Sequence, residues 1–323
     1  MTNWRDRPDA WPTLTVAAGQ RGIRADILEK DYWVTQVLRT TAQHFPDDFV
    51  FKGGTSLSKG YRCIQRFSED IDVLILKGDR GAGATSTLMK RIAEAAISEL
   101  GLVSDRGRRH HGTGQHLAEV LQYPSQTGSA LRLPPEVLLE MGVRGQDLPP
   151  HLVLPIEPLI TEPLRAADFD VDGYSDLVPC QVPVLHPGRT LVEKVMMLHF
   201  KVTTGVWNSG DQYNNPSRVG RHYHDVHRLL EMTEVRQWLA DRDAFFAAVE
   251  GHEEINRSFF GNEVPPRPAR GYAESDAFRE DFSGNHELAG FYEAAMAELF
   301  LGPGDPPGWR DVMATVRDSS SLL

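Results

Sequence analysis

Two short stretches decide the fold of this chain: Phe51-Lys52-Gly53-Gly54-Thr55-Ser56 and, after the thirteen residues 57–69, Asp70-Ile71-Asp72-Val73. The first follows an apolar run and precedes a helical pattern, which predicts a glycine turn between a strand and a helix. The second alternates acidic and apolar residues, which predicts a strand with Ile71 and Val73 facing the core. Asp70 and Asp72 would then share the opposite face, with backbones about 6.6 Å apart.

Paired carboxylates beside a glycine turn indicate phosphate chemistry. Mg²⁺ takes one or two protein carboxylates and completes its octahedron with water and substrate phosphates; Mn²⁺ is the alternative ion. Gly53 and Gly54 leave backbone N–H groups open at the start of a helix, where an anion is favoured. Each feature alone also fits a plain turn or a solvated strand face. Their order along the chain makes Gly53, Gly54, Thr55 and Ser56 the candidate seat of a triphosphate.

The remaining pattern predicts an α+β protein of two domains. Apolar spacing predicts helices over 25–43, 57–64 and 88–100, and β-rich runs predict strands over 49–51, 67–76, 117–123 and 137–143. Dense prolines between 145 and 188 indicate loops with short edge strands. A capping box, Thr190-x-x-Glu193, then opens a series of helices. We expect an α/β domain at 1–187 and a helical bundle at 188–323 that closes its cleft.

Charge and composition limit the partners. The chain has 34 Lys and Arg against 45 Asp and Glu, a net charge of −11, so any nucleic acid must bind a local basic patch. Two loops are candidates for such a patch, 106–111 and 267–272, although both also fit solvated loops. No apolar run is long enough to cross a membrane, and residues 1–7 lack the apolar core of a signal peptide. These features predict a cytoplasmic protein without a membrane partner.

The motifs resemble a known family. Gly53-Gly54-Thr55-Ser56-Leu57 with Arg66-Phe67-Ser68-Glu69-Asp70-Ile71-Asp72 is similar to the AbiEii/AbiGii family, which includes the MenT toxins, within the polymerase-β-like nucleotidyltransferase superfamily. The likeness extends to 29–35, Glu193-Lys194 and 221–226. It implies a mixed sheet with flanking helices and the toxin of a toxin–antitoxin or phage-abortive system. Such a toxin would transfer nucleotides from a nucleoside triphosphate to an RNA such as the tRNA 3′ end, release pyrophosphate, and have a cognate antitoxin.

The resemblance also implies roles for individual residues. Asp70 and Asp72 match the metal-binding acids, and Ser56 matches the contact to the nucleotide phosphates. Lys194 and Asp225 match the essential lysine and acid of the later motifs, with Lys194 as a phosphate contact. From the residues alone, Lys194 also fits a surface lysine beside an apolar stripe, and Asp225 also fits an ordinary ion pair within its helix.

Two further positions complete the predicted site. Ser68 lies two residues before Asp70 and would share its face, so its hydroxyl could bond the metal cluster or a phosphate; it also fits a plain hydroxyl at the edge of the strand. The corresponding serine is a phosphorylation point in some relatives. Glu140, on a predicted neighbouring strand, is the candidate third carboxylate of the metal site.

Two other functions remain open from the sequence. A nucleotidyltransferase for a small molecule, such as an antibiotic, would use the same acids and need no RNA surface, which suits the charge of −11. A non-catalytic binding protein on the same fold would have no need of the Asp70 and Asp72 pair.

Overall fold

The computed structural model describes residues 2–111, 115–127, 133–143, 150–209, 216–260 and 264–323. The chain forms two compact units, the first comprising Met1–Gly60 and Ser68–Leu185, and the second Tyr61–Phe67 and His186–Leu323. Residues 61–67 thus belong to the second unit although they lie between the glycine turn and the acidic pair in sequence. The proposal that 1–187 and 188–323 are separate domains stays a prediction.

The first unit is built on a mixed eight-stranded sheet. Its strand order is β3-β5-β6-β2-β1-β8-β7, and β4 pairs with β5. The pairs β1–β8 and β2–β6 are parallel, and the other pairs are antiparallel. The strands are β1 (Phe49–Lys52), β2 (Ile71–Ile75), β3 (Val103–Ser104), β4 (His110–His111), β5 (His116–Gln122), β6 (Glu136–Gly142), β7 (His151–Ile156) and β8 (Cys180–Leu185). The predicted α+β class with a mixed sheet is confirmed.

Five helices accompany the sheet in the described part of this unit. They are α1 (Ala10–Arg21), α2 (Ala25–His44), α3 (Gly53–Lys59), α4 (Ala82–Leu100) and α5 (Thr161–Ala166). Helix α2 contacts α1, α4, β6 and β8, and it is buried along nearly its whole length, charged side chains included. A buried helix with several charged residues must provide each of them with a partner.

The elements around the glycine turn differ from the sequence prediction at their ends. Ile71 and Val73 are buried as predicted, but β2 starts at Ile71 instead of 67. Phe67 instead donates its backbone N–H to the carbonyl oxygen of Leu299 in the second unit, and residues 68–70 are irregular. Helix α3 begins at Gly53 instead of 57 and ends at Lys59. The glycines lowered the helical signal of its first turn because glycine is a poor helix former.

The second unit is helical, as predicted. Its helices are α6 (Pro187–Thr203), α7 (Pro216–Glu231), α8 (Thr233–Ala240), α9 (Arg242–Phe260), α10 (Asn285–Leu299) and α11 (Trp309–Asp318). Helix α7 contacts α6, α8, α10 and α11. Gly220 permits the approach of α10, because a Cβ there would lie 2.1 Å from the carbonyl oxygen of Phe291. Over the described ranges, none of the helices is long and apolar enough to span a bilayer.

Candidate active site

The glycine turn and the second acid are in direct contact. Gly53 starts α3 with φ +76°, a left-handed conformation that favours glycine. A Cβ at Gly53 would lie only 2.1 Å from Oδ2 of Asp72. No other residue would allow the carboxylate this close to the backbone. The structure therefore places the predicted phosphate seat and a predicted metal-binding acid side by side.

Asp72 lies in a row of charged residues that crosses the sheet. Its register partners are Lys52 on β1 and Glu140 on β6. Side chains at paired positions of neighbouring strands project from the same face, with Cβ atoms about 4.5–5.5 Å apart. Glu140 thus lies on the strand next to Asp72, the position predicted for a third carboxylate. Both Asp72 and Glu140 are half-buried, while their neighbours Ile71 and Leu139 are fully buried.

Asp70 and Ser68 precede β2 and lie in an irregular segment. The hydroxyl oxygen of Thr55 is within hydrogen-bond distance of the Asp70 carbonyl oxygen and 2.9 Å from the Ser68 hydroxyl oxygen. A carbonyl can only accept, so Thr55 donates to Asp70 and accepts from Ser68. The prediction that Ser68 shares a strand face with Asp70 is therefore wrong, because no strand exists there. Ser68 is instead linked to the glycine turn by the hydrogen bond between its hydroxyl and that of Thr55.

The Ser56 hydroxyl is used within its own helix. It is fully buried and donates to the carbonyl oxygen of Gly53 at 2.8 Å. This bond braces the first turn of α3 around the left-handed glycine. The role of Ser56 as a phosphate contact stays a prediction.

The acids suit a divalent cation that is shared with a substrate. Among the residues with described positions, no group of three or more His, Cys, Asp or Glu side chains is arranged to hold a metal ion. Two half-buried carboxylates, at Asp70 and Asp72, supply hard oxygen ligands of the kind that Mg²⁺ prefers. Mg²⁺ normally keeps several waters and is bound by one or two carboxylates with substrate phosphates. The donor set therefore fits a metal that arrives with a nucleotide.

A second cluster of predicted residues lies in the helical unit. Asp225 on α7 is 0% exposed and accepts two hydrogen bonds of 2.7 Å from the guanidinium of Arg66. Its Oδ2 is also 2.7 Å from Nζ of Lys194 on α6. The Arg66 side chain is 1% exposed and that of Lys194 is 7% exposed. Lys194 is thus not a surface lysine, and both predicted essential residues of the later motifs contact each other.

Arg228, one of the two arginines of α7 that the sequence offered as an ion-pair partner of Asp225, is engaged elsewhere. Arg228, three residues on, forms a 2.6 Å ion pair with Glu231 and donates to the Cys63 carbonyl oxygen. Asp225 instead joins Arg66 of the motif before β2 to Lys194. Sequence reasoning did not find this partner of Asp225, because nothing in the spacing of residues 61–67 links Arg66 to a helix 159 residues further along the chain.

Electrostatics keep this cluster charged. Burial alone would raise the pKa of the Asp225 carboxyl, but Arg66 and Lys194 outweigh burial and hold that pKa well below its usual range. Burial lowers the pKa of the Lys194 ammonium, and Asp225 opposes that change. Burial, together with the charge of Lys194, lowers the pKa of His222 well below 6.5. His222 is therefore neutral, and its Nδ1, 3.4 Å from Lys194 Nζ, can accept a hydrogen bond from that ammonium.

The two basic loops considered for RNA are engaged in the protein's own contacts. Arg108 forms a 2.7 Å ion pair with Glu136, and Arg109 pairs with the fully buried Glu119. The side chains of His110 and His111 lie outside the described residues. In the other loop, Arg267 donates to the carbonyl oxygen of Leu323 at 2.7 Å and stacks over aromatic rings. Pairing with protein acceptors weakens the case for either loop as an RNA surface.

Helix α2 holds further charged residues that sequence reasoning did not assign to the site. Glu29 accepts hydrogen bonds from Ser125 and from the backbone N–H groups of residues 126 and 127. Lys30 forms an ion pair with Glu69, next to Asp70. Asp31 pairs with Lys59 at the end of α3 and accepts from the backbone of residue 159. Their signal in the sequence is a charged triplet within an otherwise apolar helical pattern.

The chain is similar to a known protein family and to a solved structure. The model of one protein family, described as "Nucleotidyl transferase AbiEii toxin, Type IV TA system", matches residues 36–315. The chain is also similar to the solved structure of MenT4, the nucleotidyltransferase toxin Rv2826c from Mycobacterium tuberculosis H37Rv. That similarity has 17% identity and a TM-score of 0.39, and it covers 87% of this chain and 98% of the other. No curated protein sequence matches the chain.

Proposed function

The chain belongs to the AbiEii family of nucleotidyltransferase toxins, and we propose that it transfers a nucleotide from a nucleoside triphosphate to the 3′ end of an RNA such as tRNA. The family is that of a type IV toxin–antitoxin system, which implies a cognate antitoxin. Membership in a family of nucleotidyltransferases removes the non-catalytic alternative. The observation that carries the proposal is the contact of the Asp72 carboxylate with Gly53, which makes the acids and the glycine turn one site.

The residues of the first unit bind and orient the nucleotide. The glycine turn from Gly53 to Ser56 would seat the triphosphate, and Asp70 and Asp72 would hold the divalent metal together with its phosphates. When bound there, Mg²⁺ or Mn²⁺ offsets the charge that develops on the phosphate oxygens. The oxygen of an acceptor hydroxyl then bonds to the α-phosphorus and its proton passes to solvent, while the bond from the α-phosphorus to the bridging oxygen breaks and pyrophosphate leaves with that oxygen. Glu140 is next to Asp72 in the sheet, and to serve as an additional carboxylate its side chain would have to turn toward the metal, because the described residues hold no group of three acids arranged for one.

The cluster in the helical unit is proposed to neutralise phosphate charge. Arg66 and Lys194 bring two positive charges to one carboxylate, that of Asp225, so the buried trio has a surplus of one positive charge. An anion is the natural counter-charge for such a surplus. Lys194 is assigned this contact because its side chain is 7% exposed, against 1% for that of Arg66. Since its substrates are nucleotides and RNA, the enzyme is placed in the cytoplasm.

A small-molecule acceptor is the second candidate. The net charge of −11 and the pairing of Arg108 and Arg109 with glutamates favour it, because both reduce the surface that RNA could use. The experiment that decides is incubation of the protein with each labelled nucleoside triphosphate, Mg²⁺ and total RNA. Label in an RNA band supports the RNA acceptor. Label that appears only after a small hydroxyl compound replaces the RNA would establish the second candidate.

Salt dependence separates the two candidates independently of turnover. RNA held by lysines and arginines releases counterions, so its affinity should fall steeply between 50 and 200 mM salt. Fluorescence anisotropy of a labelled tRNA with the protein would measure this slope. Weak binding at every salt concentration would argue against RNA.

A further inference from the structure

The segment 68–70 carries a predicted metal ligand without belonging to any strand. It follows residues 61–67, which are part of the second unit, and it precedes β2 at Ile71. The segment lies outside the strands of the sheet but is joined directly to Ile71 of β2. Contacts from side chains add further restraints on its position.

One such contact comes from α3. The Thr55 hydroxyl donates to the carbonyl oxygen of Asp70 and accepts from Ser68. This ties two of the three residues of the segment to the glycine helix. The side chain of the remaining residue, Glu69, contacts α2.

The second contact comes from α2. Nζ of Lys30 forms an ion pair with the Glu69 carboxylate, and the Lys30 side chain is 4% exposed while that of Glu69 is 32% exposed. The same ammonium donates to the carbonyl oxygen of Pro134 at 3.3 Å. A buried ammonium with a carboxylate and a carbonyl as partners has little freedom to move, because leaving either partner costs desolvated charge.

These two partners lie at the entrances of neighbouring strands. Glu69 precedes β2 and Pro134 precedes β6, and the two strands run parallel with Asp72 beside Glu140. Lys30 therefore joins the start of β2 to the start of β6. Glu29, the preceding residue of α2, holds residues 125–127 of the connection from β5 to β6 through its own carboxylate.

We propose that Lys30 is a positioning residue for nucleotidyl transfer, which acts by holding Glu69 and thereby placing Asp70. The proposal rests on the proposed function in that Asp70 is taken as a metal ligand. In this proposal Lys30 acts through its protein partners Glu69 and Pro134 and not through a contact to nucleotide or metal. Its effect on the reaction passes through the geometry of the 68–70 segment, and small displacements of reacting groups can cost about 100-fold in rate.

The test compares Lys30→Met with a matched control on the same helix. Lys30→Met keeps the apolar stem and removes the ammonium. Arg39→Met removes another buried cation of α2, one that donates to the Val178 carbonyl oxygen. Both should lower stability, so stability alone does not decide. Glu69→Gln keeps the shape of Glu69 and loses its charge, and it serves if Lys30→Met does not fold.

Two measurements are made on each variant. Hydrogen–deuterium exchange of a peptide covering 68–72 should speed up at least tenfold in Lys30→Met and in Glu69→Gln, and not in Arg39→Met. Labelled-nucleotide transfer should show kcat lowered about 10- to 100-fold with the KM for the nucleotide changed less than about threefold. The double variant Lys30→Met with Glu69→Gln should be no worse than the worse single variant, and Lys30→Arg should recover part of the rate.

Opposite results overturn the inference. It fails if exchange of 68–72 in Lys30→Met equals that in Arg39→Met, or if the two single losses of rate multiply in the double variant. If the wild-type protein transfers no nucleotide to any acceptor with Mg²⁺, the proposed function fails, and the exchange comparison still decides whether Lys30 positions the segment.

Discussion

Arg66 and Asp225, 159 residues apart in the sequence, form a bidentate ion pair from which solvent is almost entirely excluded. Arg66 belongs to the short segment 61–67, whose backbone is hydrogen-bonded to residues 299–301. Phe67 N–H donates to the carbonyl oxygen of Leu299, and Leu301 N–H donates to that of Gln65. Lys194 contacts the same carboxylate. The residue implied by resemblance to be an essential acid thus has both oxygens engaged by cations, which suits a role in holding the lysine better than a role as a proton acceptor.

Loss of the Asp225 charge should therefore destabilise the protein. Asp225→Asn leaves Arg66 and Lys194 buried beside each other without a counter-charge, and breaking a buried pair in this way typically costs about 3–5 kcal/mol. Denaturant unfolding measures the loss. Asp281→Asn is the matched control, because Arg279 also donates two hydrogen bonds to Asp281 but on the surface, where the change should be small. Equal losses in the two variants would mean that burial of the pair at Asp225 has no special role.

Lys194→Met should separate the charge of this lysine from its packing. The variant keeps the apolar stem, and Asp225 keeps Arg66, so the melting temperature should change by only a few degrees. Transfer should fall about 100-fold or more if the ammonium neutralises phosphate. Lys90→Met on the exposed face of α4 is the control for loss of a lysine in general. Wild-type rates in Lys194→Met would remove Lys194 from the site.

The contact between Gly53 and Asp72 can be tested with two alanine substitutions. Gly53 and Gly101 both have left-handed φ values, +76° and +68°, so alanine at either should cost about 1–2 kcal/mol of stability. A Cβ at Gly101 meets nothing within 4 Å, whereas a Cβ at Gly53 would collide with the Asp72 carboxylate. Gly53→Ala should abolish transfer and Gly101→Ala should leave it intact. Transfer by Gly53→Ala at the wild-type rate would show that the position of Asp72 does not depend on this glycine.

Acid stability should depend on His224. This residue on α7 is fully buried, neither ring nitrogen has a hydrogen-bond partner among the described residues, and burial lowers its pKa to about 4. Near pH 7 the ring is neutral in both states. Between pH 6.5 and 4 the unfolded chain binds a proton at this histidine that the folded chain does not. The free energy of unfolding should therefore decrease as the pH is lowered, by up to about 1.4 kcal/mol per pH unit.

The check is the same titration on His224→Phe. The variant should lose less stability than the wild type as the pH falls from 6.5 to 4, while the two curves run in parallel above pH 7. Identical slopes across the acid range would show that His224 is not the group that titrates.

Local patterns were enough to predict much of this architecture. Apolar spacing predicted a helix over 25–43, and α2 spans Ala25–His44; alternation predicted the buried Ile71 and Val73. The spacing of apolar residues predicts a helix or a strand correctly when that element buries one of its faces. The break between α8 and α9 at residue 241 was not predicted, because the sequence indicated only a series of helices after residue 188 and not where each one ends.

Long-range contacts were beyond such reasoning. The pairing of Arg66 with Asp225 and of Lys30 with Glu69 joins residues whose spacing in the sequence carries no periodic signal. The predicted strand over 67–76 was longer than β2 because its true start also depends on long-range contacts. Nothing in the local sequence shows that residues 61–67 belong to the second unit. Glu140, in contrast, was correctly placed on a strand next to that of Asp72, because each lies in a short β-rich run that can be identified locally.

Transfer by Asp72→Asn tests the central claim most directly. The substitution keeps the size of the side chain beside Gly53 and removes the charge that would bind metal. Labelled nucleoside triphosphate, Mg²⁺ and total RNA are incubated with the wild type and with the variant, and the melting temperature of each is recorded. We expect labelled RNA from the wild type, none above background from Asp72→Asn, and melting temperatures within a few degrees of each other. Equal labelling by the two proteins would contradict the assignment of Asp72 to the catalytic site.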